Sequence, residues 1–188
     1  MEEKAYCFSL TNEKTEFGIA SALNECNIGG KIPLFICIGT DLVLGDSLGP
    51  LVGTMLKKKN ISSYIYGTLN FPITAKEIEY VRTYVDGMHP NSIKIAIDAS
   101  VGDEESVGTI KVINKGLKPG LGVNKKIETI GDISIVGIVA TKTANNYDLY
   151  NLTRLNLIYK MADCISRGIE NYINNYVENN SEYAQIIN

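Results

Sequence analysis

The sequence predicts an α/β protein, a three-layer α/β/α sandwich around a mostly parallel central sheet. Three observations carry that expectation. Short apolar, β-branched runs alternate with stretches of helical spacing, the pattern of βα units. The run Ile133–Val139 is nearly all apolar, as a strand buried on both faces requires. Two other runs lead directly into an aspartate-bearing segment, at Asp46 and Asp98, where the strand ends of such a sheet open onto a common crevice.

Taken in order, residues 1–30 are polar and mixed, and read as an N-terminal extension. Within them Thr15 to Leu23 has helical spacing, with Phe17, Ile19, Ala20 and Leu23 inward. Asn27-Ile28-Gly29-Gly30 punctuates the chain before the first clear strand, Leu34–Ile38. Gly49-Pro50 opens a helix, proline being tolerated in a first turn, and Leu48, Leu51, Val52, Met55 and Leu56 give it an apolar stripe. Lys57-Lys58-Lys59 reads as its solvated end, where cations suit the negative pole of the helix.

Tyr64-Ile65-Tyr66 is a second strand. Ala75 to Val85 is a helix with Ile78, Tyr80, Val81, Tyr84 and Val85 as its apolar positions, ended by Gly87 and by Pro90. Ile93–Ile97 is the third strand, Gly108–Ile113 a fourth that alternates or pairs at an edge, and Ile133–Val139 the fifth. A long helical stretch follows from about Asp148 to Val177, in which Gly168 marks a break or a close contact. The chain thus reads as one α/β domain over 31–177, with an Asn-rich tail at 178–188.

Composition narrows the function. Eighteen basic and 21 acidic residues leave a formal net charge of −3, which disfavours a nucleic-acid partner. No apolar run approaches a membrane span, so no membrane partner is expected. The four cysteines, at 7, 26, 37 and 164, form no CxxC pair, which argues against zinc and redox motifs. Cys37 reads as a small core hydrophobe. A soluble protein of a reducing compartment is the expectation.

The chemistry centres on Asp46 and Asp98. A carboxylate at the end of an apolar strand must be hydrated, hydrogen-bonded or paired. Two of them delivered to one crevice can divide acid and base roles. For each, capping of the following helix or loop is the structural alternative. The glycines at 39, 45 and 49 match neither a dinucleotide-binding loop nor a P-loop. Lys118-Pro119-Gly120-Leu121-Gly122-Val123-Asn124-Lys125-Lys126 is a loop that either lines the same crevice or forms a surface hairpin. The lone His89, before Pro90, reads as a capping or surface residue. No His, Asp or Glu group has metal-ligand spacing, and no cofactor is expected.

Three segments, in conserved order between about residues 31 and 143, carry a resemblance. They are Ile38-Gly39-Thr40 with Asp46-Ser47-Leu48-Gly49-Pro50; Ile95-Ala96-Ile97-Asp98-Ala99; and Pro119-Gly120-Leu121-Gly122-Val123-Asn124-Lys125 with Ile133–Val139. They resemble the corresponding stretches of the germination protease of spore-forming bacteria, and most nearly those of the small YyaC-type sporulation proteins related to it. The resemblance implies a phosphorylase/hydrolase-like fold, shared with hydrogenase maturation proteases. It implies Asp46 and Asp98 as catalytic residues, with Gly39, Thr40, Gly120 and Asn124 lining the substrate channel or donating to a developing oxyanion. It also implies a protein or peptide substrate, such as small acid-soluble spore proteins, a homo-oligomeric assembly, and a cytoplasmic location in the forespore or spore interior.

The chain departs from these relatives in three respects. Thr40 stands where they carry asparagine. The chain is much shorter than the protease and shows no clear propeptide. In the maturation proteases the position matching Asp46 is an acidic nickel-contacting residue, but their other metal-contacting residues, an aspartate and a histidine, lack counterparts, since Gly67-Thr68-Leu69-Asn70-Phe71-Pro72 offers no carboxylate. Two alternatives to a peptidase therefore accompany the resemblance: an inactive binding or scaffold protein of the same fold, and a metal-dependent maturation-type protease.

Overall fold

The structure, a computed structural model, describes residues 3–27, 29–119, 128–142 and 153–180. Its elements run β1 (Ala5–Ser9), α1 (Thr15–Cys26), β2 (Ile32–Cys37), α2 (Leu48–Lys58), β3 (Tyr64–Tyr66), α3 (Ile78–Met88), β4 (Ser92–Gly102), β5 (Thr109–Ile113), β6 (Ile133–Thr141) and α4 (Leu155–Asn179). The strands form one sheet in the order β1-β5-β6-β4-β2-β3. β3, β2, β4 and β6 are mutually parallel, and β5 and β1 extend the sheet in antiparallel fashion. The expected α/β/α sandwich with a mostly parallel sheet is the architecture observed.

Strand alternation divides the apolar side chains between two cores. Phe35, Cys37, Ile95 and Ile97 pack on one face with Ile19 and Leu23 of α1, Val52 and Leu56 of α2, and Ile165 and Ile169 of α4. Leu34, Ile36 and Ala96 pack on the other with Ile78 and Val85 of α3. Cys37 is wholly buried, and desolvation holds its thiol far above the ordinary range.

Several elements differ from the sequence expectation. The stretch read as an N-terminal extension carries β1, paired residue for residue with β5, and α1, whose Ile19 and Leu23 are fully buried. β5 is therefore not at the edge, because β1 covers its outer side. Phe17 points outward, 61% exposed, while its helix buries Ile19, Ala20 and Leu23. α3 starts at Ile78, passes through Gly87 and ends at Met88, with Tyr80 and Tyr84 on its solvent side. Gly168 makes a close contact and not a break: a Cβ there would stand 2.8 Å from the Cβ of Ile19 and 3.0 Å from the Glu16 carbonyl oxygen, so α1 and α4 meet through it.

α4 is also fastened to the turn that launches β2. The Asn27 side-chain amide donates to the Tyr172 hydroxyl (2.9 Å) and to the Lys31 carbonyl (2.9 Å), and the Tyr176 hydroxyl donates to the Gly30 carbonyl (2.8 Å). Lys57 and Lys58 form the exposed last turn of α2, as expected, whereas Lys59 turns inward to pair with Glu170 of α4 (2.6 Å). Among the described residues no helix is long and apolar enough to cross a membrane.

Candidate active site

β2 is the strand at which the winding reverses. α2 leaves it on one face of the sheet toward β3, and α3 returns on the other face to β4, on the opposite side of β2. A crevice opens beyond the carboxyl ends of strands at such a switch point. β2 ends at Cys37, opposite Ile97, while β4 continues to Gly102 alongside β6. Asp98 is thus the first residue of β4 beyond its pairing with β2. It is not the end of the strand, as the sequence implied. Ala99 packs in the core shared with α2, so Asp98 occupies the opposite face, the one that also carries Ala96.

Asp46 reaches the crevice through the turn after β2. Gly39 has φ +134°, a conformation open to glycine, and any Cβ on it would overlap the Asp46 carbonyl oxygen. The close crossing is fixed by the Thr40 amide, which donates to the Asp46 carbonyl (3.1 Å), and by a short 3₁₀ turn, Leu44–Ser47, in which the Asp46 amide donates to Val43 (2.9 Å). The loop after β3 is tied to the same place: the Gly39 amide donates to the Ile73 carbonyl (2.9 Å), and Ile38 bridges to Ile73.

α2 is pressed onto this turn through glycines one helical turn apart. A Cβ on Gly49 would overlap the Ile38 carbonyl oxygen, and one on Gly53 the Gly67 carbonyl oxygen. Thr54 adds a hydrogen bond, its hydroxyl accepting from the Leu69 amide (2.9 Å). Gly53 and Thr54 escaped the sequence reading. The signal available was the i, i+4 spacing of Gly49 and Gly53, which places both on one side of a helix.

Capping does not account for either aspartate. Neither the 3₁₀ turn nor α2 has a side-chain cap hydrogen bond, and among the described residues Asp98 accepts only from the adjacent Ala99 amide (2.8 Å). Asp46 is half-buried, and desolvation raises its carboxyl to about 6, opposed by the nearby Thr40 backbone. Asp98 as a residue is also half-buried, yet its carboxyl is withdrawn from water. Desolvation, then the charge of Asp46, hold it well above the usual carboxylate range. The structure therefore brings Asp46 and Asp98 close enough to repel one another.

The Gly39 and Thr40 amides are both engaged inside the protein, so these residues shape the turn, and the Thr40 hydroxyl, which accepts from the Leu42 amide (3.3 Å), is the group left to meet a ligand. Gly120 and Asn124 lie outside the described residues. His89 does not join the site: it ends α3 before β4 begins, packs at a tilt against the Tyr64 ring and hydrogen-bonds the Tyr66 hydroxyl (2.6 Å). Among the described residues no group of three or more His, Cys, Asp or Glu side chains could hold a metal ion, so the donor set at the crevice is the aspartate pair. That pair does not make a metal centre on its own.

The fold resembles that of the crystal structure of a [NiFe] hydrogenase maturation protease, HycI, from Thermococcus kodakarensis KOD1. The TM-score is 0.54 at 14% sequence identity, covering 81% of this chain and 98% of the other. In sequence, the chain is 40% identical over 152 residues to the uncharacterized protein YyaC of Bacillus subtilis (strain 168), across 80% of this chain and 73% of that protein. Residues 9–168 match the family model described as a protein of unknown function (DUF1256), and the chain belongs to that family.

Proposed function

We propose that the protein is a peptidase-like hydrolase in which Asp46 and Asp98 act together on a peptide bond. The observation that carries the reading is the meeting of two carboxyls at one crevice, both raised by burial, with no capping role for either. In this reading Asp46, raised to about 6, is the ionised member near neutral pH, and Asp98, raised by burial and by the charge of Asp46, is the protonated one. Asp46 then accepts a proton from a water molecule as that water attacks the scissile carbonyl. Asp98 donates a hydrogen bond to the carbonyl oxygen, where negative charge develops. The Thr40 hydroxyl, on the turn that carries Asp46, is placed to orient the peptide. Because the two groups interact, their titration belongs to the pair.

A protein substrate is the part of the HycI description that we carry across. The nickel named there is left aside, since among the described residues no group of three or more His, Cys, Asp or Glu side chains could hold a metal ion. The YyaC-type resemblance supports a role in sporulation or germination, in the cytoplasm of the forespore or in the spore interior, on small acid-soluble spore proteins or another spore protein.

The test is incubation of the full-length protein with purified small acid-soluble spore proteins, followed by mass spectrometry. Fragments that appear with the native protein and vanish with Asp46→Asn and with Asp98→Asn are the expected result. Fragments from the double variant at the native rate overturn the assignment. A stable complex without cleavage points instead to a binding protein of the same fold.

A further inference from the structure

We infer that Leu42 and Phe71 form an apolar rim selecting peptides that carry a bulky aliphatic or aromatic side chain beside the bond presented to Asp46 and Asp98. This deepens the peptidase reading and rests on it. Leu42 is 88% exposed and Phe71 80%, the two most exposed large hydrophobic residues among those described. Single exposed apolar residues are ordinary. These two share a location: they ride the loops that leave the same end of the neighbouring parallel strands β2 and β3, and Leu42 lies within the turn that delivers Asp46.

Neither is held out by a slack tether. The Leu42 amide donates to the Thr40 hydroxyl (3.3 Å). Thr68 and Phe71 exchange backbone hydrogen bonds in both directions (3.1 and 3.2 Å), and the Phe71 amide also reaches the Thr68 hydroxyl (3.3 Å). The two loops are joined through Gly39 and Ile73, and the second is anchored on α2 by Leu69 and Thr54.

A loop whose backbone is held by its own hydrogen bonds has already lost part of the backbone freedom that binding would otherwise remove. Covering a leucine or phenylalanine side chain withdraws its apolar surface from water, which favours binding. The occupant is an extended peptide because Leu42 shares its turn with the Thr40 hydroxyl and with Asp46. Whatever covers Leu42 also meets these polar groups, and a peptide backbone brings N–H and C=O groups to satisfy them.

The experiment compares two decapeptides that differ at a single position, leucine in one and serine in the other, using the full-length protein. Cleavage is followed for the native protein and for Leu42→Ser, Phe71→Ser and their combination. Binding is followed by fluorescence anisotropy on Asp46→Asn/Asp98→Asn, which keeps Leu42, Phe71 and Thr40 without the acid pair. The expected result is a preference of tenfold or more for the leucine peptide, expressed mainly in KM and lost in the combined Leu42→Ser/Phe71→Ser protein, whose thermal midpoint stays at the native value. An unchanged preference in that protein overturns the inference, as does equal binding of the two peptides. So does a combined variant whose only change, in sedimentation, is conversion of a dimer to a monomer. If neither peptide is cut, but the leucine peptide binds more tightly and the rim substitutions abolish that difference, the rim stands and the peptidase reading falls.

Discussion

Asp46, on the turn after β2, faces Asp98 of β4 closely enough that the charge of the first raises the carboxyl of the second. Two acids far apart in the chain thus become one titrating unit, placed by a strand that outruns its neighbour and by a turn cinched at Gly39.

That unit dictates a pH profile. In the proposed reaction, cleavage requires Asp46 ionised and Asp98 protonated. The profile of kcat/KM should climb through a limb near pH 6, where Asp46 loses its proton, and fall at higher pH once Asp98 ionises. Initial rates from pH 4 to 9 check this. In Asp46→Asn the acidic limb should disappear together with at least 100-fold of the rate.

The same groups weaken the fold above neutrality. A carboxyl whose folded value lies above its unfolded one favours folding most fully at acid pH, below the unfolded value. Its contribution is lost as pH rises through the folded value. For Asp46 that loss runs between about pH 4 and about pH 6 and amounts to roughly 2 kcal/mol after allowance for partial exposure. Asp98→Asn and Asp46→Asn should therefore unfold at higher denaturant than the native protein at pH 8. They should lose that advantage at pH 4. Denaturant midpoints at the two values measure it, and a native protein more stable than both variants at pH 8 contradicts the burial of the pair.

Gly49→Ala tests the contact of α2 with the end of β2. Alanine gains about 1 kcal/mol of helix propensity. Its methyl meets a backbone carbonyl that cannot rotate away, and we expect a net loss of about 2–4 kcal/mol in urea unfolding.

Gly168→Ala poses the same contest in the middle of α4. Here the neighbours are the Ile19 Cβ at 2.8 Å and the Glu16 carbonyl oxygen at 3.0 Å, and a few tenths of an ångström of helix separation relieve the overlap. The expected loss is about 1 kcal/mol, seen as a lower thermal midpoint with the pH profile of activity unchanged.

Tyr172→Phe removes the buried oxygen that accepts from Asn27, but Asn27 keeps its bond to the Lys31 carbonyl. A loss of about 1–2 kcal/mol in thermal or denaturant unfolding follows from the weakened network.

The parallel core was legible because a buried strand writes itself locally. β2, β3 and β6 are continuous apolar or aromatic runs, and α2 has an unambiguous stripe. What the sequence hid was set by partners. β1 alternates half-buried and exposed residues, and its pairing with β5 joins segments a hundred residues apart. The length of β4 beyond Asp98 is decided by β6 beside it, with an irregularity at Ser100/Val101. Apolar character alone marks Phe17 as inward and Tyr80 and Tyr84 as apolar positions of their helix, although helical phase turns all three to solvent. Gly87 does not stop α3, since its φ is not positive and nothing crowds it. The two aspartates were recognisable as residues, while their interaction depends on geometry that no local pattern contains.

The glycine seam of α2 has a mechanical consequence. Where backbone lies on backbone without intervening side chains, there is no soft layer to shear, so the helix cannot act as a piston and the wall bearing Asp46 behaves as the fixed half of a jaw. Admission of the proposed peptide then falls to the tips at 41–43 and 68–72, where Leu42 and Phe71 stand in solvent.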